Sequence, residues 1–123
     1  MDENIFQNVW DKLQDVLPEE WKKVIFYAGY MTGSYSMKFY TYFDDGSYKD
    51  CFSLPNVEQM QLISLFMDID KILSKERKAL GNEKWTVFTM VVDDKGNMKT
   101  DFDYTDISEN AIAYEREWKK KYL

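Results

Sequence analysis

The chain has 123 residues, 45% of them hydrophobic and 17% aromatic, which suits one domain with its own core and excludes a disordered polymer. Its formal charge is −6 and its pI near 4.7, the wrong sign for a protein that must cover nucleic-acid phosphates. With no histidine and a single cysteine, Cys51, histidine triads, Cys-His pairs, imidazole zinc sites and internal disulfides are all excluded.

Met1-Asp2-Glu3-Asn4 is acidic and lacks the apolar run of a signal peptide, and no stretch is long and charge-free enough to span a bilayer. Together with the lone thiol, this predicts a soluble protein of the reducing cytoplasm. Ile5, Phe6, Val9, Trp10, Leu13, Val16 and Leu17 recur at helical spacing, which predicts an amphipathic first helix with Trp10 as a core anchor. Pro18 stops it, because the residue before proline is pushed out of the helical region. Trp21 to Met31 reads as a strand rich in β-branched and aromatic residues. After the Thr32-Gly33-Ser34 turn, Tyr35 to Phe43 forms a second strand and Tyr48 to Leu54 a shorter third, joined by the acidic turn Asp44-Asp45-Gly46-Ser47. Pro55 and Asn56 break the third strand, and Asn56 is placed to cap the helix that follows.

Val57 to Leu80 is the longest helical pattern, with Leu62, Leu65, Phe66, Ile69, Ile72, Leu73 and Leu80 as a wide apolar stripe and Gly81-Asn82 as its stop. Trp85 to Val92 is apolar on both faces, as a strand buried on both sides requires. Asp93-Asp94-Lys95-Gly96-Asn97 is a glycine-containing turn, and Met98 to Asp106 then alternates. Met98, Thr100, Phe102 and Tyr104 take the core face, leaving Lys99, Asp101, Asp103 and Thr105 to water. Ser108 to Leu123 closes as a helix capped by Ser108, with Ile112 and Trp118 as apolar contacts and Lys119-Lys120-Lys121 at its negative end. The order is α-βββ-α-ββ-α. It predicts an α+β fold over residues 1–123 as a single domain: one antiparallel sheet of about five strands, a long helix packed on one face, and helices at both termini.

Catalytic and metal chemistry find little footing. The pairs Asp44-Asp45 and Asp93-Asp94 sit in turns that use aspartate before glycine anyway, and Asp93 to Tyr104 lacks the sixth-position glycine and closing glutamate of a calcium loop. Paired carboxylates such as Asp101 and Asp103 need a concave, partly dry site to push their pKa values apart, and an exposed strand face is not expected to supply one. Five scattered glycines form no phosphate cradle, and Cys51 has no base beside it in sequence terms and reads as a small buried apolar residue. What remains is charge: from Asp93 to Glu109 six acids face only Lys95 and Lys99.

Three pieces in fixed order resemble one known family. They are Leu17-Pro18-Glu19-Glu20-Trp21-Lys22-Lys23-Val24 after the first helix, Lys84-Trp85-Thr86 before the late hairpin, and Phe102-Asp103-Tyr104 with Asp106 at its close. Read together, and across nearly the whole chain, they are similar to the YezG/EsaG-type family of bacterial antitoxin (immunity) proteins. The resemblance implies a cytoplasmic protein that binds and neutralises a cognate polymorphic toxin, often a nuclease domain, by occlusion and without catalysis, cofactor or metal. Family members can run on past the last helix, so a function lodged in such an extension is expected to be absent here.

A nuclease carries a basic groove, and an acidic partner docks there quickly. Asp93, Asp94, Asp101, Asp103 and Asp106 are accordingly the expected partner-binding residues, with no nucleic acid and no membrane among the partners. Two other readings fit a small acidic chain: a secretion or folding chaperone for a toxin or effector, and a small carboxylate-based enzyme.

Overall fold

The computed structural model describes residues 4–55 and 57–123. The element order is α1 (Asn4–Gln14), β1 (Lys23–Met31), β2 (Ser34–Tyr42), β3 (Tyr48–Asp50), α2 (Gln59–Leu80), β4 (Val87–Asp93), β5 (Met98–Asp103) and α3 (Ala111–Tyr122). All five strands form one sheet in the order β3-β2-β1-β4-β5, every neighbour antiparallel. The expected α+β architecture is the one observed.

Strand alternation sends two sets of side chains to opposite faces. On the first face Val24, Phe26 and Ala28 of β1 join Phe39, Phe88 and Met90 beneath α1 and α2. Phe6 of α1 lies 5.7 Å from Phe88 and 6.0 Å from Phe102, whereas Phe66 of α2 meets Phe39 at 6.3 Å. So α1 covers the β4–β5 side and α2 the β2 side. The second face is covered too. Ile25 and Tyr27 of β1, Tyr40 and Val87 pack with Ile107 and Trp118. Trp118 stands edge-on to Tyr27 at 5.0 Å, Lys38 pairs with Glu115 at 2.8 Å, and the Tyr42 hydroxyl donates to the Leu123 carbonyl. The sheet is therefore the middle of three layers, which is why β1 and β4 are apolar on both faces.

Several boundaries fall elsewhere than the sequence predicts, each for a local reason. Helix α1 ends at Gln14, and residues 15–17 wind on in tighter turns, Leu17 N–H bonding Gln14. Trp21 is outside β1 and packs edge-on against Trp10 at 5.4 Å. Strand β3 is only three residues long, because the Asp50 carboxylate accepts from Phe52 and Ser53 N–H and folds the chain into a short 3-10 turn. Cys51 on that turn is fully buried, as a small core residue, and burial pushes its thiol pKa up. Helix α2 begins at Gln59, with Glu58 as its N-cap residue; the capping role expected of Asn56 lies outside the described residues.

The last strand ends at Asp103, not Asp106. Thr86 Oγ donates to the carbonyls of Asp103 and Thr105, and the Asp103 carboxylate accepts from Thr105 N–H, so the chain turns off the sheet. Tyr104, expected inward, is 62% exposed as a result. Helix α3 begins at Ala111, after Asn110; the Ser108 hydroxyl instead accepts from Thr32 N–H at 2.9 Å. Ile112, expected as a core contact, is 79% exposed, and Ile107 occupies the core beside Trp118 in its place. Gly29 supplies room for this second layer, since a Cβ there would lie 2.5 Å from the Tyr27 hydroxyl and 3.2 Å from Ile107.

Candidate functional site

The five carboxylates nominated from sequence occupy three separate places. Asp93 and Asp94 form the β4–β5 turn at one end of the sheet. Asp101 and Asp103 lie on β5 facing α3, and Asp106 sits in the loop to α3 at the opposite end. Each has an internal partner. Asp93 accepts from Asn97 Nδ2 and from the N–H groups of Lys95 and Asn97, and these bonds, the Asn97 amide first, hold its pKa below the usual carboxylate range. Asp94 pairs with Lys22 at 3.0 Å, and Asp106 accepts from Ser108 N–H. The two β5 acids each accept a hydrogen bond from α3, Asp101 remaining exposed and Asp103 half-buried.

Between β5 and α3 is a cleft of about 230 Å³ lined by Asp101, Asp103, Tyr114, Trp118, Lys121 and Tyr122. Tyr114 donates to Asp103 and Tyr122 to Asp101, both at 2.6 Å, while Trp118 Nε1 donates to the buried Thr89 hydroxyl at 2.9 Å. Burial, then Asp101, pushes the Tyr122 phenol up to about 12, and burial, then Asp103, raises that of Tyr114. Tyr114, followed by Thr105, in turn holds the Asp103 pKa down. Neutral phenols donating to ionised carboxylates make a joint between helix and strand. Among the described residues, no group of three or more Cys, Asp or Glu side chains is placed so as to hold a metal ion.

A group of acidic residues lies at the end of the sheet where three segments converge. Antiparallel pairing puts the start of β1, the end of β2 and the end of β4 side by side, with Lys23 opposite both Tyr42 and Asp93. Lys22 extends that register: its N–H donates to the Tyr42 carbonyl and its carbonyl accepts from Asp94 N–H. Its ammonium is then held between the two acidic turns, 3.2 Å from Asp44 and 3.0 Å from Asp94, and both acids raise its pKa, Asp94 most. Gly46 and Gly96, at φ +83 and +88, let these turns close tightly. The shallow depression around Lys22 is lined by Glu19, Glu20, Trp21, Asp44 and Asp94. Four acids surround one lysine. Glu19 and Glu20 are exposed and make no ion pair or side-chain hydrogen bond among the described residues. Sequence reading used both only as markers of family resemblance. Their signal was the acidic pair next to Pro18 on a short linker, but their company depends on strand order.

Fold and surface together describe a small α+β protein with four acids gathered around Lys22 at one end of the sheet. Its family follows from sequence comparison: the family described as "Immunity protein YezG-like" matches residues 3–123, and the chain belongs to it. It is also similar to "Immunity protein YezG" of Bacillus subtilis (strain 168), with 26% identity over 122 residues, spanning 93% of this chain and 81% of that protein. The membership expected from the Pro18-Glu19-Glu20-Trp21 and Phe102-Asp103-Tyr104 segments is thereby established.

Proposed function

We propose that this immunity protein acts in the cytoplasm by covering the basic, phosphate-binding surface of a nuclease-type toxin domain with its acidic end. The observation that carries this reading is the depression in which Glu19, Glu20, Asp44 and Asp94 surround Lys22, with the two glutamates in no ion pair among the described residues. A nuclease active surface must be cationic to hold its substrate, so an acidic competitor meets it by the same electrostatics. Opposite fields steer such encounters to about 10⁸–10⁹ M⁻¹s⁻¹ at low salt. Neutralisation by occlusion asks nothing of catalysis, cofactor or metal.

Asp93 belongs to this surface mainly by shaping the turn that presents Asp94. Asp101, Asp103 and Asp106 lie outside this depression, along β5 and at the opposite end of the sheet, as secondary contacts, and the two β5 acids also fasten α3. The test begins with the chain purified from its host together with what it binds. The bound domain, once identified, is produced alone and assayed for toxicity, and for protection by this chain. Association rates are then measured from low to high salt. The expected outcome is protection together with an association rate that falls steeply with ionic strength and is lowered by Glu19→Lys with Glu20→Lys. A bound species that is an unfolded, non-toxic client, or a rate indifferent to salt and to both substitutions, overturns the proposal.

A further inference from the structure

We propose that the outer edge of β5 pairs with the β5 edge of a second copy of this chain, antiparallel about a two-fold axis at Thr100, joining two five-stranded sheets into one. This surface is separate from the acidic end, and the proposal does not depend on the toxin-binding reading. β5 is the last strand in the order β3-β2-β1-β4-β5. Asp93 N–H donates to the Asn97 carbonyl at 3.0 Å, and the same register runs from Val92 opposite Met98 to Val87 opposite Asp103. Hydrogen-bonded pairs recur at every second residue of an antiparallel ladder. Lys99, Asp101 and Asp103 therefore bond β4, and Thr86 N–H donating to the Asp103 carbonyl confirms the phase at the far end. The N–H and C=O groups of Met98, Thr100 and Phe102 point away from the sheet. Among the described residues these outward groups meet no hydrogen-bond partner. Neither proline nor glycine interrupts the six residues of β5. The opposite edge is shut, since β3 is three residues long and ends where Asp50 folds the chain into a 3-10 turn. A bare, regular edge is a template for another strand.

Side-chain chemistry decides the occupant. Because the outward groups belong to Met98, Thr100 and Phe102, two such edges register antiparallel only in steps of two residues. With Thr100 opposite Thr100 of the second copy, Met98 stands opposite Phe102 and Lys99 opposite Asp101, each contact occurring twice. Three outward pairs then exchange two backbone bonds each. The Lys99–Asp101 pair between them is the close kind, with Cα atoms about 4.5 Å apart. One step either way sets Lys99 against Lys99 or Asp101 against Asp101, like charges directly opposed. Within one copy, Lys99 and Asp101 are exposed and form no ion pair among the described residues. Met98 and Phe102 are only half-buried against the core, so each gains an apolar neighbour. Antiparallel pairing also sends the two acidic depressions around Lys22 to opposite ends of the joined sheet, where their charges lie far apart. A foreign strand would find the same backbone groups, but the reciprocal Lys99–Asp101 match is a property of two identical edges.

Sedimentation equilibrium of the purified chain is expected to give twice the 14.8 kDa chain mass. Thr100→Pro removes an outward N–H that the protein's own ladder does not use, so this variant is expected to fold and to sediment as a monomer. Lys99→Asp sets acid against acid twice, and Asp101→Lys sets lysine against lysine twice. Each is expected to raise the dimer dissociation constant about tenfold or more. Mixed in equal amounts, these two charge variants restore both opposite-charge pairs and should dimerise again. The mixture keeps the test decisive where Thr100→Pro fails to fold. A free chain that is monomeric at its highest soluble concentration overturns the proposal. So does a dimer that none of the three substitutions weakens, or a mixture no tighter than its separate components. A monomeric chain whose capture of a toxin domain is weakened by Thr100→Pro overturns it in favour of a strand supplied by that domain.

Discussion

Tyr114 donates its phenolic hydrogen to Asp103 at 2.6 Å, a bond that joins the first turn of α3 to the final residue of β5. One helical span further on, Tyr122 makes the same 2.6 Å bond to Asp101. The alternation that puts both aspartates on one strand face thus gives α3 two anchoring points along that strand.

Tyr114→Phe removes one of these points and keeps the ring. Asp103 then loses the donor that contributes most to holding its pKa down. A depressed carboxylate stabilises the folded state above its unfolded pKa and stops doing so as the pH falls through its lower folded value. The variant is therefore expected to be less stable at pH 7 by about 1 kcal/mol, a charged hydrogen bond discounted for solvent exposure. The difference should shrink below the ordinary aspartate pKa of 3.8. Urea denaturation of both proteins from pH 7 to pH 3 measures it, and a gap that widens in acid contradicts the assignment.

Trp118 is the apolar anchor of the same helix, 5% exposed and bonded through Nε1 to the buried Thr89 hydroxyl. Trp118→Ala should cost about 3–5 kcal/mol, as for other buried aromatics, and should release α3 from the second sheet face. Hydrogen exchange in α3 is the direct readout. Amides of residues 111–122 protected as before would mean that the helix is held by its polar bonds alone.

Asp101→Lys with Asp103→Lys would be nearly silent for folding on a solvent-facing strand. Beneath α3 it replaces both tyrosine acceptors with cations, close to Lys121. We expect a loss of about 2–3 kcal/mol, within the usual range for breaking a bonded polar network. A thermal melt shifted by less than a degree would return these acids to the status of free surface charges.

Phe88 and Phe102 stack at 5.4 Å with their planes 12° apart, yet Phe88 is fully buried and Phe102 only partly so. Phe88→Ala should therefore cost about 3–5 kcal/mol and Phe102→Ala less, about 2–3 kcal/mol, because solvent reaches the smaller cavity at the sheet edge. Equal denaturation midpoints for the two variants would place both rings in the same environment, against the edge position of β5.

Much of the architecture is written in local sequence. The 3.6-residue spacing in α1 and α2, the alternation in β5, and the glycines and aspartates of the two turns each specify an element by its own backbone and solvent preferences. Element order and the antiparallel sheet followed from these, as did the family, whose markers are short runs preserved in order. Boundaries were less legible, because Thr86, Asp50 and Ser108 make side-chain bonds to distant or non-helical backbone that no periodicity encodes.

Only the tertiary structure decided which charges stand together. A period of two puts Asp101 and Asp103 on one face of β5 but cannot say whether water or a helix meets that face. Helix α3 meets it, because Trp118 fits against Tyr27 and Tyr40 on the second face and carries Tyr114 and Tyr122 to the aspartates. Conversely, Glu19 and Glu20, Asp44 and Asp94 are far apart in the chain. They become neighbours because β1 pairs with β2 on one side and β4 on the other, which brings two turns to Lys22. Local patterning fixes the direction of a side chain within its own element. Strand order and helix docking fix what that side chain meets, since those depend on contacts between residues that no local pattern relates.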